Sequence, residues 1–356
     1  MKQLRNNLIG VVLIVIALLC YGQYRLQLAS SNHYDQQLYV YNWGEYIDPQ
    51  VIDDFEKEYQ IDVIYETYDS NETLYTKLKN HTSRYDVVFP SEYMVDKMNQ
   101  EQLLLPIDYD QIPNIKEIDS RLINVSSTNP DTHVSVPYFW GTVGIIYDQT
   151  KTDLTFDSWE DLWDPSLENQ VILVDSAREA MGFSLQSLGY SVNSLDSKQL
   201  KLAQNKLMTL RPNIKAIIGD EILQIMPAGE ATAAITWSGS ARNMIKQNPN
   251  LAYAIPQEGT NIWVDSAVIP NTCGNLEGAH QFINYLMDAN VSKLNSEYVG
   301  YSTTNLKTQE MFKENGTYDP LFYPDESITK NFEFYRNLSP QDTMLYNDLF
   351  LEFKMF

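Results

Sequence analysis

Short apolar runs that hand over directly to helix-opening residues recur along this chain, and that hand-over constrains the fold most. Val171–Val174 runs into Asp175-Ser176-Ala177-Arg178-Glu179, Ala231–Trp237 into Ser238-Gly239-Ser240, and Tyr85–Phe89 into Pro90-Ser91. Gln37–Trp43 is followed by Asp48-Pro49, and Ile61–Tyr68 by Ser70-Asn71-Glu72. Each run has strand character, and each continuation offers small or polar residues that can serve the free N–H groups of a helix start. Pro49 suits the first helical position, where no N–H is needed. Strands that repeatedly feed helices predict α/β layers with largely parallel sheets. In such layers a ligand sits beyond the carboxyl ends of the strands. That rule places Trp43, Ser91, Glu179 and Trp237 beside any site.

A chain of 356 residues exceeds what one hydrophobic core usually organises, so two lobes are expected. No repeat, low-complexity tract or Gly/Ser linker separates them. Extended segments must then cross directly between lobes, and Val134–Ile146 and Asn261–Ile269 are the candidates. The chain holds 47 acidic residues against 25 Lys and Arg, a net charge of −22. Residues 1–32 contain Lys2, Arg5 and Arg25 but no acid, so the acidic excess falls on the remainder. Such a surface repels nucleic acid and anionic lipid and favours cations, although solubility alone accounts for most of it.

Lys2 and Arg5 precede the apolar run Leu8–Leu19, the pattern of a secretory signal. The basic flank predicts a cytoplasmic N-terminus and an exported remainder. Cys20 ends the run and suggests lipidation, but Leu19 stands before it where a small residue is usual. An uncleaved or late-cleaved anchor over residues 1–33 is therefore the expectation.

Nucleotide and metal chemistry find no support. Neither a G-x-G-x-x-G nor a P-loop is present, and His33, His81, His133 and His280 stand singly. No cofactor is expected. Two cysteines, Cys20 and Cys273, build no disulfide framework. Cys273 follows an extended run and is the one candidate nucleophile, without an evident histidine to activate it.

Aromatic residues beside carboxylates at strand ends carry the functional signal: Tyr41–Tyr46, Pro90–Tyr93, Trp237–Gly239, Trp263–Ser266 and Gly300-Tyr301. A polyamine needs flat apolar walls for its methylenes, and carboxylates with ring faces for its ammonium groups. A desolvated cation–π contact contributes about 2 kcal/mol at best. A hydrogen bond to a charged group adds roughly 1.5–3 kcal/mol. A few of each, less the ordering cost, reach micromolar affinity, about −8 kcal/mol.

Eight segments resemble the spermidine/putrescine-binding proteins of bacterial ABC importers. They are Tyr39–Tyr46, Thr67–Leu74, Phe89–Met98, Val136–Gly141, Ser176–Glu179, Ile262–Pro270, Tyr298–Asn305 and Phe322–Asp325. The N-terminal segment and the closing Leu349–Phe356 look most similar to streptococcal-type Gram-positive members. The resemblance implies a two-lobed periplasmic-binding-protein fold (type II) with hinge strands, closing around its ligand. The lobes would be 34–141 plus 264–309, and 142–263 plus 310–356. It implies contacts from Trp43, Glu45, Tyr46, Ser91 and Tyr93, and an amine-binding Glu179. Trp237 and Trp263 would sandwich the methylene chain, Asp265 would hold an ammonium near the hinge, and Tyr301 would add a wall. The implied partners are a polyamine and the permease and ATPase subunits of an importer.

Three positions depart from the better-known members. Ser176 stands where Asp is usual, Gly44 replaces a hydroxyl residue, and Tyr335 replaces Gln. Binding of both spermidine and putrescine, the former somewhat more tightly, is the expectation. A receptor for another organic cation is the nearer alternative, and a Cys273-dependent enzyme on the same scaffold the remoter one.

Overall fold

The computed structural model describes residues 34–123, 125, 133–325 and 329–355. The expected anchor over 1–33, with Cys20, lies outside the described residues. Among the described residues no helix is long and apolar enough to cross a membrane.

Among the described residues ten strands form the framework: β1 Gln36–Trp43, β2 Ile61–Tyr68, β3 Val87–Val88, β4 Ser135–Asp148, β5 Val171–Val174, β6 Ile214–Ile218, β7 Ala233–Trp237, β8 Leu251–Ala254, β9 Ile262–Val268 and β10 Ser302–Thr303. Their order is β2-β1-β3-β9-β4-β7-β5-β6, with β8 and β10 also on β4. The run expected at Tyr85–Phe89 is a strand only over Val87–Val88. The expectation of largely parallel sheets needs correction. β1 pairs in parallel with β2 and β3, and β5 with β6 and β7, whereas every pairing of β4 and β9 is antiparallel. These long strands return between the layers instead of being wound by a crossover helix.

β4 organises the molecule. Ser135–Thr142 pairs with β9, and Val143–Asp148 pairs with β7 on one edge and β8 on the other. One continuous strand therefore serves two sheets, and the chain is a two-lobed α/β protein. Alternation assigns side chains to separate cores on the two faces of each sheet. On β1, Leu38 and Val40 enter one core of the first lobe while Tyr41 enters the other. In the second lobe, Leu173 and Ile235 pack on one face, Ile172 and Ala234 on the opposite one.

Capping follows the sequence at the early helices. Asp48 accepts from the Gln50 amide to start Pro49–Tyr59, and Ser70 accepts from Thr73 to start Asn71–Lys79. At Glu92–Gln100 and Ala177–Gln186, the N-cap residues Ser91 and Ser176 make no side-chain cap. Both hydroxyls are engaged elsewhere.

Candidate ligand-binding site

β9 alternates Trp263 and Asp265 on one face with Val264 on the other, where Val264 joins a core. Asp265 is 5% exposed. Its Oδ1 accepts from the Ser91 hydroxyl at 2.7 Å and its Oδ2 from the Tyr46 hydroxyl at 2.7 Å. Ser91 is placed by Asn71, whose side chain accepts from the Ser91 amide at 3.2 Å and donates to the Ser91 and Tyr93 hydroxyls at 3.1 and 2.9 Å. Burial pushes the Asp265 carboxyl up to about 6, against these two hydrogen bonds. Among the described residues, the hydrogen bonds to this carboxylate come from these two neutral hydroxyls. The Tyr46 hydroxyl is raised well above its ordinary range, by burial first and by Asp265 second.

Aromatic rings enclose this carboxylate. Tyr301 meets Tyr46 edge-on at 5.4 Å and Trp263 at 5.1 Å. The Tyr301 hydroxyl lies 3.1 Å from that of Ser240, at the start of the second-lobe helix Ser238–Gln247. A Cβ on Gly239 would fall 2.0 Å from the Tyr301 ring. Only glycine allows this helix end and that ring to meet. Gly141 plays the corresponding part under Trp263, where a Cβ would lie 2.7 Å from the indole. Gly141 pairs with Trp263 and Val143 with Trp237, on opposite edges of β4. The two side chains therefore leave one face, from strands two spacings apart, roughly 10 Å.

The second lobe brings Glu179 and Tyr335. The Ser176 hydroxyl donates to Glu179, which is why it caps nothing. Burial raises the Glu179 pKa, and the Ser176 bond opposes the rise. The fields of Glu179 and Glu92 both reach Tyr93 in the first lobe and Tyr335 in the second. Tyr335 is 6% exposed and lies under the Arg178 guanidinium at 4.2 Å.

The structure thus gathers Tyr46, Ser91, Tyr93, Trp263, Asp265 and Tyr301 with Glu179 and Tyr335 across the seam of the lobes. Three expected residues stand further out. Trp43 donates to the Phe89 carbonyl at 2.8 Å and tilts against Tyr68 at 4.6 Å. Glu45 is exposed, with a left-handed backbone at φ 51°. Trp237 is half-buried at the end of β7, partly packed on the second-lobe core. Sequence reasoning missed Asn71, Ser240 and Glu92. Glu92 is 2% exposed, and burial lifts its carboxyl to about 8. Cys273 lies in the first lobe, half-buried, with its thiol pushed up to about 12 by burial and then by Asp86. A thiol so raised is a poor nucleophile at neutral pH.

The family profile of bacterial extracellular solute-binding proteins matches residues 50–322. The spermidine/putrescine-binding periplasmic protein of Escherichia coli K12 is 35% identical over 340 residues, spanning 95% of this chain and 97% of that protein. The solved structure of the substrate-binding protein PotD of a Streptococcus pneumoniae spermidine/putrescine ABC transporter is 44% identical. It superposes with a TM-score of 0.82 over 90% of this chain and 99% of that one. The Tp0655 (TpPotD) lipoprotein of Treponema pallidum follows at 25% identity and a TM-score of 0.79, covering 89% and 99% of the two chains. With the profile covering most of its length on a matching two-lobed fold, this chain belongs to the family of bacterial extracellular solute-binding proteins.

Proposed function

We propose that this protein captures polyamines between its lobes and delivers them to the permease and ATPase subunits of an ABC importer. One observation carries the reading: a buried Asp265 carboxylate held by Ser91 and Tyr46, walled by Trp263 and Tyr301, with no cation among the described residues to balance it. A ligand ammonium supplies the missing charge. The indoles of Trp263 and Trp237, carried on strands either side of β4, suit a methylene chain. Glu179 on the far lobe suits a second amine. The ligand then bridges both lobes and favours the closed form through contacts that the open form lacks.

In this reading the lobes are 34–141 plus 264–309, and 142–263 plus 310–356, and residues 1–33 are the signal or anchor that leaves the protein tethered to the outer face of the cytoplasmic membrane or secreted. Binding proceeds without covalent chemistry, in keeping with the raised Cys273 thiol. Spermidine binds somewhat more tightly than putrescine, because Glu179 and Asp265 are separate acceptors for an extended multiply charged chain. Isothermal titration of the full-length protein with spermidine, putrescine, spermine and choline tests this. One-to-one binding of a polyamine with choline silent is expected. A response to choline alone would establish the other organic cation as ligand instead.

A further inference from the structure

Glu92 opens the helix Glu92–Gln100, where an acid ordinarily points to solvent and complements the helix dipole. Here it is almost wholly enclosed at the seam of the lobes. Its Oε2 accepts from the Val264 amide of β9 at 3.1 Å, and its Oε1 is buried without a hydrogen-bond partner. The groups facing it are the Asp265 carboxylate on β9, the Tyr335 amide from the second lobe, and the Tyr93 and Tyr335 hydroxyls. Arg178 lies over the far Tyr335 ring, and Glu179 adds a further negative charge to the surroundings of both tyrosines. Among the described residues no Lys or Arg is hydrogen-bonded to the Glu92 carboxyl, and the largest influences on it are burial, backbone amides and Asp265. Burial first and the Asp265 field after it favour the neutral acid in such a carboxyl, against the backbone amides that face it.

We propose that Glu92 is a further amine-binding carboxyl of this site, neutral in the ligand-free protein and ionised by an arriving ammonium group, so that capture of a polyamine expels a proton to the solvent. The inference rests on the polyamine reading above. It adds a third carboxyl to Asp265 and Glu179, and it makes the site sensitive to pH in the neutral range. Burial raises the Glu92 carboxyl to about 8, so the acid form predominates at pH 7. An ammonium within contact distance lowers a carboxyl by roughly 1–3 units, enough to ionise it at that pH.

A purely structural Glu92 would do no more than satisfy the Val264 amide, and glutamine does that equally well. Glu92→Gln therefore keeps the bond to β9 and removes only the ionisation. Spermidine is titrated calorimetrically into the full-length protein and the E92Q variant at pH 7, in phosphate and in Tris, whose ionisation heats differ. The wild type should show a buffer-dependent enthalpy equivalent to roughly 0.4–0.9 proton released per spermidine. E92Q should show almost none. Between pH 6.5 and 7.5 the wild-type affinity should rise severalfold, approaching tenfold, and that of E92Q should stay nearly flat. Spermidine binding by the wild type without proton release overturns the inference and leaves the polyamine reading standing. Equal release by E92Q overturns it too and assigns the proton to another carboxyl. Failure of the wild type to bind any polyamine overturns both.

Discussion

The Ser91 hydroxyl donates to Oδ1 of Asp265 at 2.7 Å, joining residues 174 apart in the chain. The bond takes the residue best placed to cap a helix and turns it to orient a buried carboxylate. The second lobe repeats the device, with the N-cap residue Ser176 turned toward Glu179.

Asp265→Asn removes the charge and keeps the shape. The loss of one charge-assisted bond, roughly 1.5–3 kcal/mol, corresponds to roughly a 10- to 150-fold weaker spermidine affinity. Ser91→Ala leaves Asp265 with the Tyr46 hydroxyl alone and should cost about tenfold. Calorimetric titration measures both, and thermal melts of the same samples show whether the lobes remain folded. Unchanged affinity in D265N would remove Asp265 from the site.

Acid should weaken binding through Asp265. Its carboxyl titrates at about 6 in the folded protein, above the ordinary range, because burial disfavours the charge. The folded state therefore holds the Asp265 proton more tightly than the unfolded chain does. The resulting contribution to ligand-free stability is largest below about pH 4 and disappears as pH rises through about 6. Amine binding needs the ionised form and runs the other way. With Glu92 neutralised as Gln, affinity should fall roughly tenfold from pH 7 to pH 5. Titrations at the two pH values check this, and D265N in the same background should flatten the profile.

Much of the framework was readable from local pattern. β1, β2, β5 and β7 fall within a few residues of the expected runs, and Asp48 and Ser70 cap as their positions suggest. Trp263 and Asp265 came from the family resemblance, and both fall on β9. The rest depends on distant partners. Nothing local distinguishes Ser70, which caps, from Ser91, which does not. The difference is Asp265 on another strand. Glu92 looks like an ordinary first-turn acid until Val264 and Tyr335 close over it. Asn71 looks like a helix start, yet its amide sets the positions of Ser91 and Tyr93.

Closure should hinge on a missing methyl group. Gly239 lies within the helix Ser238–Gln247, where alanine is the better helix former by about 1 kcal/mol. Its Cβ would nevertheless fall 2.0 Å from the Tyr301 ring, which Tyr46 and Trp263 hold on its other sides. Gly239→Ala should therefore keep or slightly raise the melting temperature while weakening spermidine binding at least tenfold. Small-angle scattering should show a smaller ligand-induced compaction than in the wild type. Normal affinity with normal compaction would show that Tyr301 yields freely.

Ser176 offers a test of ligand ranking. Its hydroxyl donates to Glu179, so that carboxylate meets the site with one of its oxygens already engaged. Ser176→Asp replaces the donor with a second acid beside a carboxyl that burial has already raised. Two adjacent carboxylates repel, and the pair gains more from a ligand that brings additional positive charge. Spermidine affinity should rise severalfold in S176D and putrescine affinity should change less, widening the ratio between them. Ser176→Ala removes the donor without adding charge and should weaken both amines alike. Competition titrations of the two amines against the three proteins measure the ratio. An unchanged ratio in S176D would mean that residue 176 orients Glu179 but does not help select the ligand.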